Sequence, residues 1–157
     1  MSYRIAIENF GKAYVDVQPL LARHYGEMQA RLEGRGMRCP PFNPRLATYV
    51  ASSDSGDILL FVVRTETGEA IGYALIWLAL DMHNGELISQ EDAIYVRPDH
   101  RNGIGMKLTK HILENLRSRG VKRAHVTTMT DLRVAKLCER VGFRHTAHAM
   151  TLFFEEP

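Results

Sequence analysis

The stretch DAIYVRPDHRNGIGMKLTKHILENL, residues 92–116, joins a β-type apolar run, a Pro98-Asp99 turn, two closely spaced glycines and an amphipathic helix. Glycine tolerates positive φ and leaves amides uncovered, and the first amides of a helix lack internal partners and carry partial positive charge. A turn built this way, with basic residues at its mouth, is a seat for a phosphorylated ligand. Ile104, Leu108, Ile112 and Leu116 recur at i+4 and form one apolar stripe, which predicts a helix from Gly103 to about Arg119 docked on a core. Lys107, Lys110, Glu114 and Arg117 take its polar side, and Gly120 ends it.

Outward from this unit, residues 87–96 read as the strand that feeds the turn. Residues 124–129 read as the strand reached from it, parallel through a right-handed crossover. Upstream, residues 57–64 and 70–80 are rich in Ile, Val, Phe and Leu and are separated by Glu66-Thr67-Gly68-Glu69, which predicts a hairpin. A short strand at 3–7 precedes a helix within 15–33, where Leu21, Tyr25, Met28 and Leu32 keep helical spacing. Gly34, Gly36 and Pro40-Pro41 break that helix before a short one near 45–52. Asp131 caps a further helix with Val134, Cys138 and Val141 inward, Gly142 stops it, and 143–154 reads as a last strand. The expectation is a mixed α/β (α+β) fold, with a mostly antiparallel sheet, a central parallel β-α-β unit and helices on both faces, in a single domain spanning 1–157.

The chain has 157 residues, long enough to bury roughly two-thirds of its unfolded surface without staples. Two cysteines are too few for a disulfide framework and fit a reducing compartment. No run approaches a membrane span and the N-terminus lacks the order of a signal peptide, so the expected setting is the cytoplasm, with no membrane partner. The net charge of +2 hides an asymmetry: residues 1–96 hold 8 basic and 12 acidic side chains, residues 97–144 hold 12 and 4. The basic block coincides with the glycine turn and suits a small polyanion. Nucleic acid is not expected as a partner, because no stacking aromatics interleave the basic residues.

Other phosphate loops fail on single residues. A GxGxxG fingerprint needs glycine at Leu108, and neither Gly103 nor Gly105 begins a Walker A sequence. What remains is Tyr95-Val96-Arg97-Pro98 followed by His100-Arg101-Asn102-Gly103-Ile104-Gly105, with Asp131-Leu-Arg-Val-Ala-Lys-Leu-Cys138-Glu-Arg-Val-Gly142-Phe143 downstream. Together these resemble the pyrophosphate loop and the second helix motif of the GNAT N-acetyltransferase superfamily, over roughly residues 57–154.

The resemblance implies acetyl-CoA as donor, a primary amine of a small molecule or protein as acceptor, direct attack in a ternary complex, no metal and a possible homodimer. It implies cofactor contacts from Tyr95, Val96, His100, Arg101, Asn102, Gly103, Ile104, Gly105 and Met106: strand backbone for the pantetheine, loop amides for the pyrophosphate. The loop is one residue shorter than the common form, so which of His100 and Arg101 reaches the pyrophosphate is open. Cys138 stands where many members carry a tyrosine acid, which keeps a second reading alive: a coenzyme-binding module of little or no activity.

Deprotonating an alkylamine of pKa ~10.4 at neutral pH costs roughly 4 to 5 kcal/mol, so a base is needed. Glu91 and Asp92 are the candidates; in a regular strand only one of them faces the cleft, and counting back from Val96 favours Asp92, while a bulge would exchange them. Tyr25, Phe42 and Asn43 are candidate acceptor contacts from their place in the chain. Trp77 and Tyr73 read as core, His24 and His111 as helix surface, and His145 and His148 would point to opposite faces, so no metal cluster emerges.

Overall fold

A computed structural model describes residues 2–128 and 131–154. The elements run β1 (Tyr3–Glu8), α1 (Phe10–Glu33), α2 (Leu46–Ser55), β2 (Ile58–Thr65), β3 (Ala70–Leu80), β4 (Leu87–Val96), α3 (Ile104–Ser118), β5 (Arg123–His125) and α4 (Leu132–Arg140). The five strands form one sheet in sequence order. The first three pairings are antiparallel and β4–β5 is parallel. β2 and β3 are continuous apolar runs because both their faces are covered.

One face of the sheet packs on α1 and α2 through Phe10, Val17, Leu60, Val62, Tyr73, Leu75 and Tyr95. The other packs on α3 through Phe61, Val63, Ile76, Val96, Ile104, Leu108, Ile112 and Leu116. The stripe read from the sequence is therefore the side of α3 that the sheet covers, and truncating Leu108 to alanine costs about 2–5 kcal/mol. β3 and β4 approach so closely at Gly72 that a Cβ there would lie 2.9 Å from the Tyr95 carbonyl oxygen.

The mixed, mostly antiparallel sheet, the parallel β-α-β unit and the helices on both faces are as the sequence predicts. α1 starts earlier than the apolar spacing indicates, because the Asn9 side chain caps it by accepting from the Lys12 amide at 3.1 Å.

Two expectations fail. β5 is short, ending at His125, and Met129 lies outside the described residues. Residues 143–154 form no strand. A strand needs an edge to pair with and a face to bury. Met150, Leu152 and Phe154 of that segment are all largely exposed. The parallel unit consequently closes one edge of the described sheet instead of standing at its centre.

Candidate active site

β4 and β5 pair only at Ile88–Arg123, Ser89–Ala124 and Gln90–His125. Beyond Gln90 the two chains part, and among the described residues no strand pairs with the β5 side of β4 from there to Val96. Hydrogen-bonded residues alternate along an antiparallel pair. The Arg97 amide bonds the Ile71 carbonyl, so Arg97, Tyr95 and Ala93 turn their backbone groups to β3, while Val96 and Ile94 turn theirs to the β5 side. The edge expected of Tyr95 and Val96 thus belongs to Ile94 and Val96, because the β3 ladder uses the Tyr95 groups.

The register places Leu75 opposite Ala93 and Ile76 opposite Glu91, leaving Asp92 as an extra residue, a β-bulge. Glu91 and Asp92 are thereby sent to different faces at the point where the sheet opens. Asp92 is exposed on the α2 side, and its Oδ2 accepts the Tyr49 hydroxyl at 2.7 Å. Burial, and then the hydrogen bond to Asp92, push the Tyr49 phenol well above its ordinary pKa, so it stays a donor.

Glu91 goes the other way. It lines a cavity of about 30 Å³ with Ser89, Ile94, Thr109, Ile112 and Cys138, room for about one water. Its Oε2 accepts the Thr127 amide at 3.4 Å, across the gap between β4 and the chain leaving β5. Burial pushes the Glu91 carboxyl up to about 7; the Thr127 amide opposes this and the neighbouring Asp92 charge adds to it. The buried Cys138 thiol is raised by the same burial and by Glu91, and so keeps its proton at neutral pH.

The turn after β4 is fixed from several sides. His100 is buried, sharing hydrogen bonds with the Tyr3 hydroxyl at 3.0 Å and Arg97 Nη2 at 3.1 Å. Arg97 is itself paired with Asp99 and Glu69. Arg101 lies over the Tyr95 ring, 5.3 Å from its centroid, with Nε on the Val96 carbonyl at 2.7 Å and Nη2 on Glu27 at 3.2 Å. Glu27 also accepts the Tyr95 hydroxyl at 2.7 Å.

Asn102 is exposed, and its amide closes the turn on the His100 carbonyl at 2.8 Å. Gly103 then adopts φ 92°, open to glycine without strain, and α3 begins. The amides of Gly103, Ile104, Gly105 and Met106 stand at the helix N-terminus, where no preceding turn offers acceptors. A Cβ built on Gly103 meets nothing within 4 Å, so the turn is open at that residue, while one built on Gly105 would lie 3.5 Å from Leu137 Cδ1.

On the α1 side, the Tyr25 hydroxyl bonds the Pro40 carbonyl at 2.7 Å, and its ring packs on Phe42 at 5.3 Å, tying residues 37–45 to the helix. Phe42 is partly buried against the core beneath α1 and α2, while Asn43 is exposed. His24, read as helix surface, instead faces the sheet: Nδ1 meets the Tyr73 hydroxyl at 2.8 Å and the ring stacks on Tyr95 at 5.0 Å. Burial lowers its pKa, so it is neutral at pH 7. Tyr49, Glu27 and Thr127 were not singled out in the sequence. Only the helical spacing of Glu27 one turn below His24 offered any signal, and nothing local marks the other two.

The family model described as Acetyltransferase (GNAT) family matches residues 28–143. The chain belongs to the GNAT acetyltransferase family. No curated protein sequence is a significant match. Among similar solved structures are the ribosomal-protein-alanine N-acetyltransferase of Brucella melitensis biovar Abortus 2308, at TM-score 0.70 and 19% identity over 98% of this chain and 100% of that one. An aminoglycoside acetyltransferase from an uncultured soil metagenomic sample gives 0.73 and 19% over 99% and 100%. Glucosamine-6-phosphate N-acetyltransferase from Arabidopsis thaliana gives 0.67 and 12% over 99% and 100%. Identities this low establish the fold, and those names carry chemically different amines, so the fold alone does not choose an acceptor.

The residues present fit coenzyme A: the helix amides that follow Gly103 suit its pyrophosphate, and the length of β4 that no described strand pairs with suits its pantetheine amides. Among the described residues no group of three His, Cys, Asp or Glu is placed to hold a metal, and no helix is long and apolar enough to cross a membrane.

Proposed function

We propose that the protein is an N-acetyltransferase that moves the acetyl group of acetyl-CoA to a primary amine by direct attack in a ternary complex, with Glu91 as the base. The observation that carries this reading is the position of Glu91: in the mouth of the β4–β5 gap, half-buried, with its carboxyl pushed up to about 7. A base works best when its pKa lies near the working pH, where it is both available and strong enough to hold the proton.

Bound acetyl-CoA supplies a thioester, an acyl group already activated toward nitrogen nucleophiles. The Gly103–Met106 amides hold the pyrophosphate, and the Ile94 and Val96 backbone groups pair with the pantetheine. An outward amide of the same edge, Ile94 or Val96, polarises the thioester oxygen. The amine enters from the α1–α2 face beside Asp92. Desolvation in the gap would lower its pKa toward that of Glu91, which would take the proton that nitrogen loses as the nitrogen–acyl carbon bond forms and the carbon–sulfur bond breaks, coenzyme A leaving as its thiolate. Asn102, exposed at the turn, borders the pyrophosphate, while the buried His100 shapes the turn from beneath. The protein acts in solution without nucleic acid or membrane.

A second reading, a coenzyme-binding module without turnover, draws on one observation: Cys138, at the position of the family's tyrosine acid, is buried and lines a cavity too small for a phenol. Thiol release from acetyl-CoA with a panel of amines separates the two. The enzyme reading expects turnover with an acid limb near pH 7 that disappears in Glu91→Gln. Coenzyme binding with no turnover on any amine would leave the module.

A further inference from the structure

One imidazole ties the turn that carries the coenzyme amides to the far side of the sheet. His100 ends the short 3₁₀ turn Pro98–His100, just before Gly103, and is 8% exposed. Its Nδ1 stands 3.0 Å from the hydroxyl of Tyr3 on β1, the strand separated from β4 by β2 and β3. Its Nε2 stands 3.1 Å from Arg97 Nη2. Tyr3 also meets the imidazole edge-on, with centroids 5.8 Å apart and planes at 81°, and packs against the apolar cluster under α3. The ion pairs of the same turn are more open: Asp99 and Glu69, the partners of Arg97, are each more than half exposed, and such pairs contribute little.

These two contacts fix where the ring carries its proton. A guanidinium only donates, so Nε2 must offer its lone pair to Arg97; the proton then stands on Nδ1 and is donated to the Tyr3 oxygen. The other neutral form fails. Asp99 Oδ2 is 3.6 Å from Nε2, too far for a hydrogen bond, and a proton on Nε2 would face the Arg97 N–H. A doubly protonated ring meets the same conflict. Arg97 is not free to turn aside, because its Nε and Nη2 hold Asp99 and its Nη1 holds Glu69.

The backbone of His100 belongs to the turn itself. Its amide donates to the Arg97 carbonyl at 2.9 Å, and its carbonyl accepts the Asn102 amide at 2.8 Å. A ring that shifts therefore moves the peptide units leading into Gly103 and the first amides of α3. Such amides hold an anion well only if they are already in place, since ordering a loose turn subtracts from affinity. We infer that His100 is a positioning residue for the coenzyme: as the neutral Nδ1–H tautomer it pins the pyrophosphate turn to Tyr3, so that the strand at the far edge of the sheet sets coenzyme affinity without touching the ligand. This rests on the coenzyme A reading and adds how the turn is held.

Two measurements test it. In protein carrying ¹⁵N-histidine, long-range ¹H–¹⁵N correlation should show His100, assigned by its loss in His100→Gln, with a protonated Nδ1 and a bare Nε2; a proton on Nε2 overturns the inference. Calorimetric titration then gives the affinity, per folded molecule, for coenzyme A and for its 3′-phospho-ADP portion alone. Tyr3→Phe, which keeps the ring and loses the hydroxyl, should weaken both by ~5- to 10-fold, and His100→Ala by at least as much. With His100 already alanine, Tyr3→Phe should add less than ~2-fold, because the contact it removes is gone. A purely structural role would lower the unfolding temperature of Tyr3→Phe and leave the affinity of its folded fraction as in the wild type. Unchanged affinity for either ligand in Tyr3→Phe overturns the inference while the coenzyme reading stands. No binding of coenzyme A by the wild type overturns that reading, and the inference with it. If His100→Ala does not fold, Tyr3→Phe alone decides.

Discussion

The guanidinium Nε of Arg101 donates to the carbonyl of Val96 at 2.7 Å, on the edge of β4 that no described strand covers. That carbonyl is one of the few groups available to a ligand laid along the strand. Arg101 holds it while also reaching Glu27. The carbonyl has a second lone pair, so a coenzyme laid along the strand could share it with Arg101, and would gain further if the same arginine turned to the pyrophosphate.

Weakening the Glu27 contact should release the arginine. Glu27→Gln is expected to tighten coenzyme A binding ~3-fold, in line with a partly exposed ion pair, and Arg101→Ala to weaken it ~3- to 10-fold. Isothermal titration calorimetry measures both, and equal affinity of Glu27→Gln and wild type would show that the pair does not restrain the loop.

The two glycines of the turn should respond differently. At Gly103 there is room for a side chain, but φ 92° strains any L-residue by about 1–2 kcal/mol, so Gly103→Val should distort the row of amides and weaken coenzyme binding by ~10-fold or more. At Gly105 a Cβ would lie 3.5 Å from Leu137 Cδ1, an ordinary contact within a helix. Gly105→Ala should bind coenzyme as the wild type does and unfold at the same temperature or slightly higher.

Glu91 links stability to pH. Its folded pKa, about 7, lies above the ordinary carboxyl value, so the native state favours the protonated form. The stability tied to this proton is complete below about pH 4.3 and is lost as pH rises through 7. Glu91→Gln, which cannot ionise, should be more stable than wild type by about 1–2 kcal/mol at pH 8, a figure reduced for partial solvent screening, and equal to it near pH 4. The same variant should lose acetyl transfer by ~100-fold or more. Chemical denaturation at the two pH values is the check; a Gln variant no more stable at pH 8 than at pH 4, relative to wild type, would contradict the burial of the charge.

Cys138 should behave as packing. Cys138→Ala should cost about 1 kcal/mol of stability and leave kcat within ~3-fold, since the thiolate of coenzyme A departs without a dedicated acid. Cys138→Tyr should destabilise by about 1–3 kcal/mol, because the adjoining cavity of about 30 Å³ is too small for a phenol. A Tyr variant that is both stable and faster would restore the acid reading.

Periodicity and turn chemistry carried most of the fold. Ile104 to Leu116 named the buried side of α3, and the glycine turn located its N-terminus. The strand bounds 70–80 and 87–96 were legible because apolar runs met turn residues at both ends. The N-terminal turn of α1 was hidden by Gly11, a poor helix former held by the Asn9 cap and by the packing of Phe10 and Ala13, while Pro19 is carried inside the helix. Residues 143–154 alternate like a strand, yet a pattern cannot supply the partner edge a strand requires.

At the candidate site, residue types were readable but directions were not. Whether Glu91 or Asp92 met a given face depended on a bulge, which is a property of the β3–β4 register and leaves no mark in β4 alone. Tyr49 became part of the site only because α2 lies over the opening, a long-range contact with no local signal.

The bulge at Asp92 has one more consequence. With Leu75 already opposite Ala93 and Ile76 opposite Glu91, removing Asp92 would join two halves of β4 that are in step with each other, and every remaining side chain would keep its present face. The carboxylate thus sits on the one extra residue of an otherwise continuous β3–β4 ladder. Its presence costs the sheet no change of register on either side, so the group beside the opening is decoupled from the packing of the core.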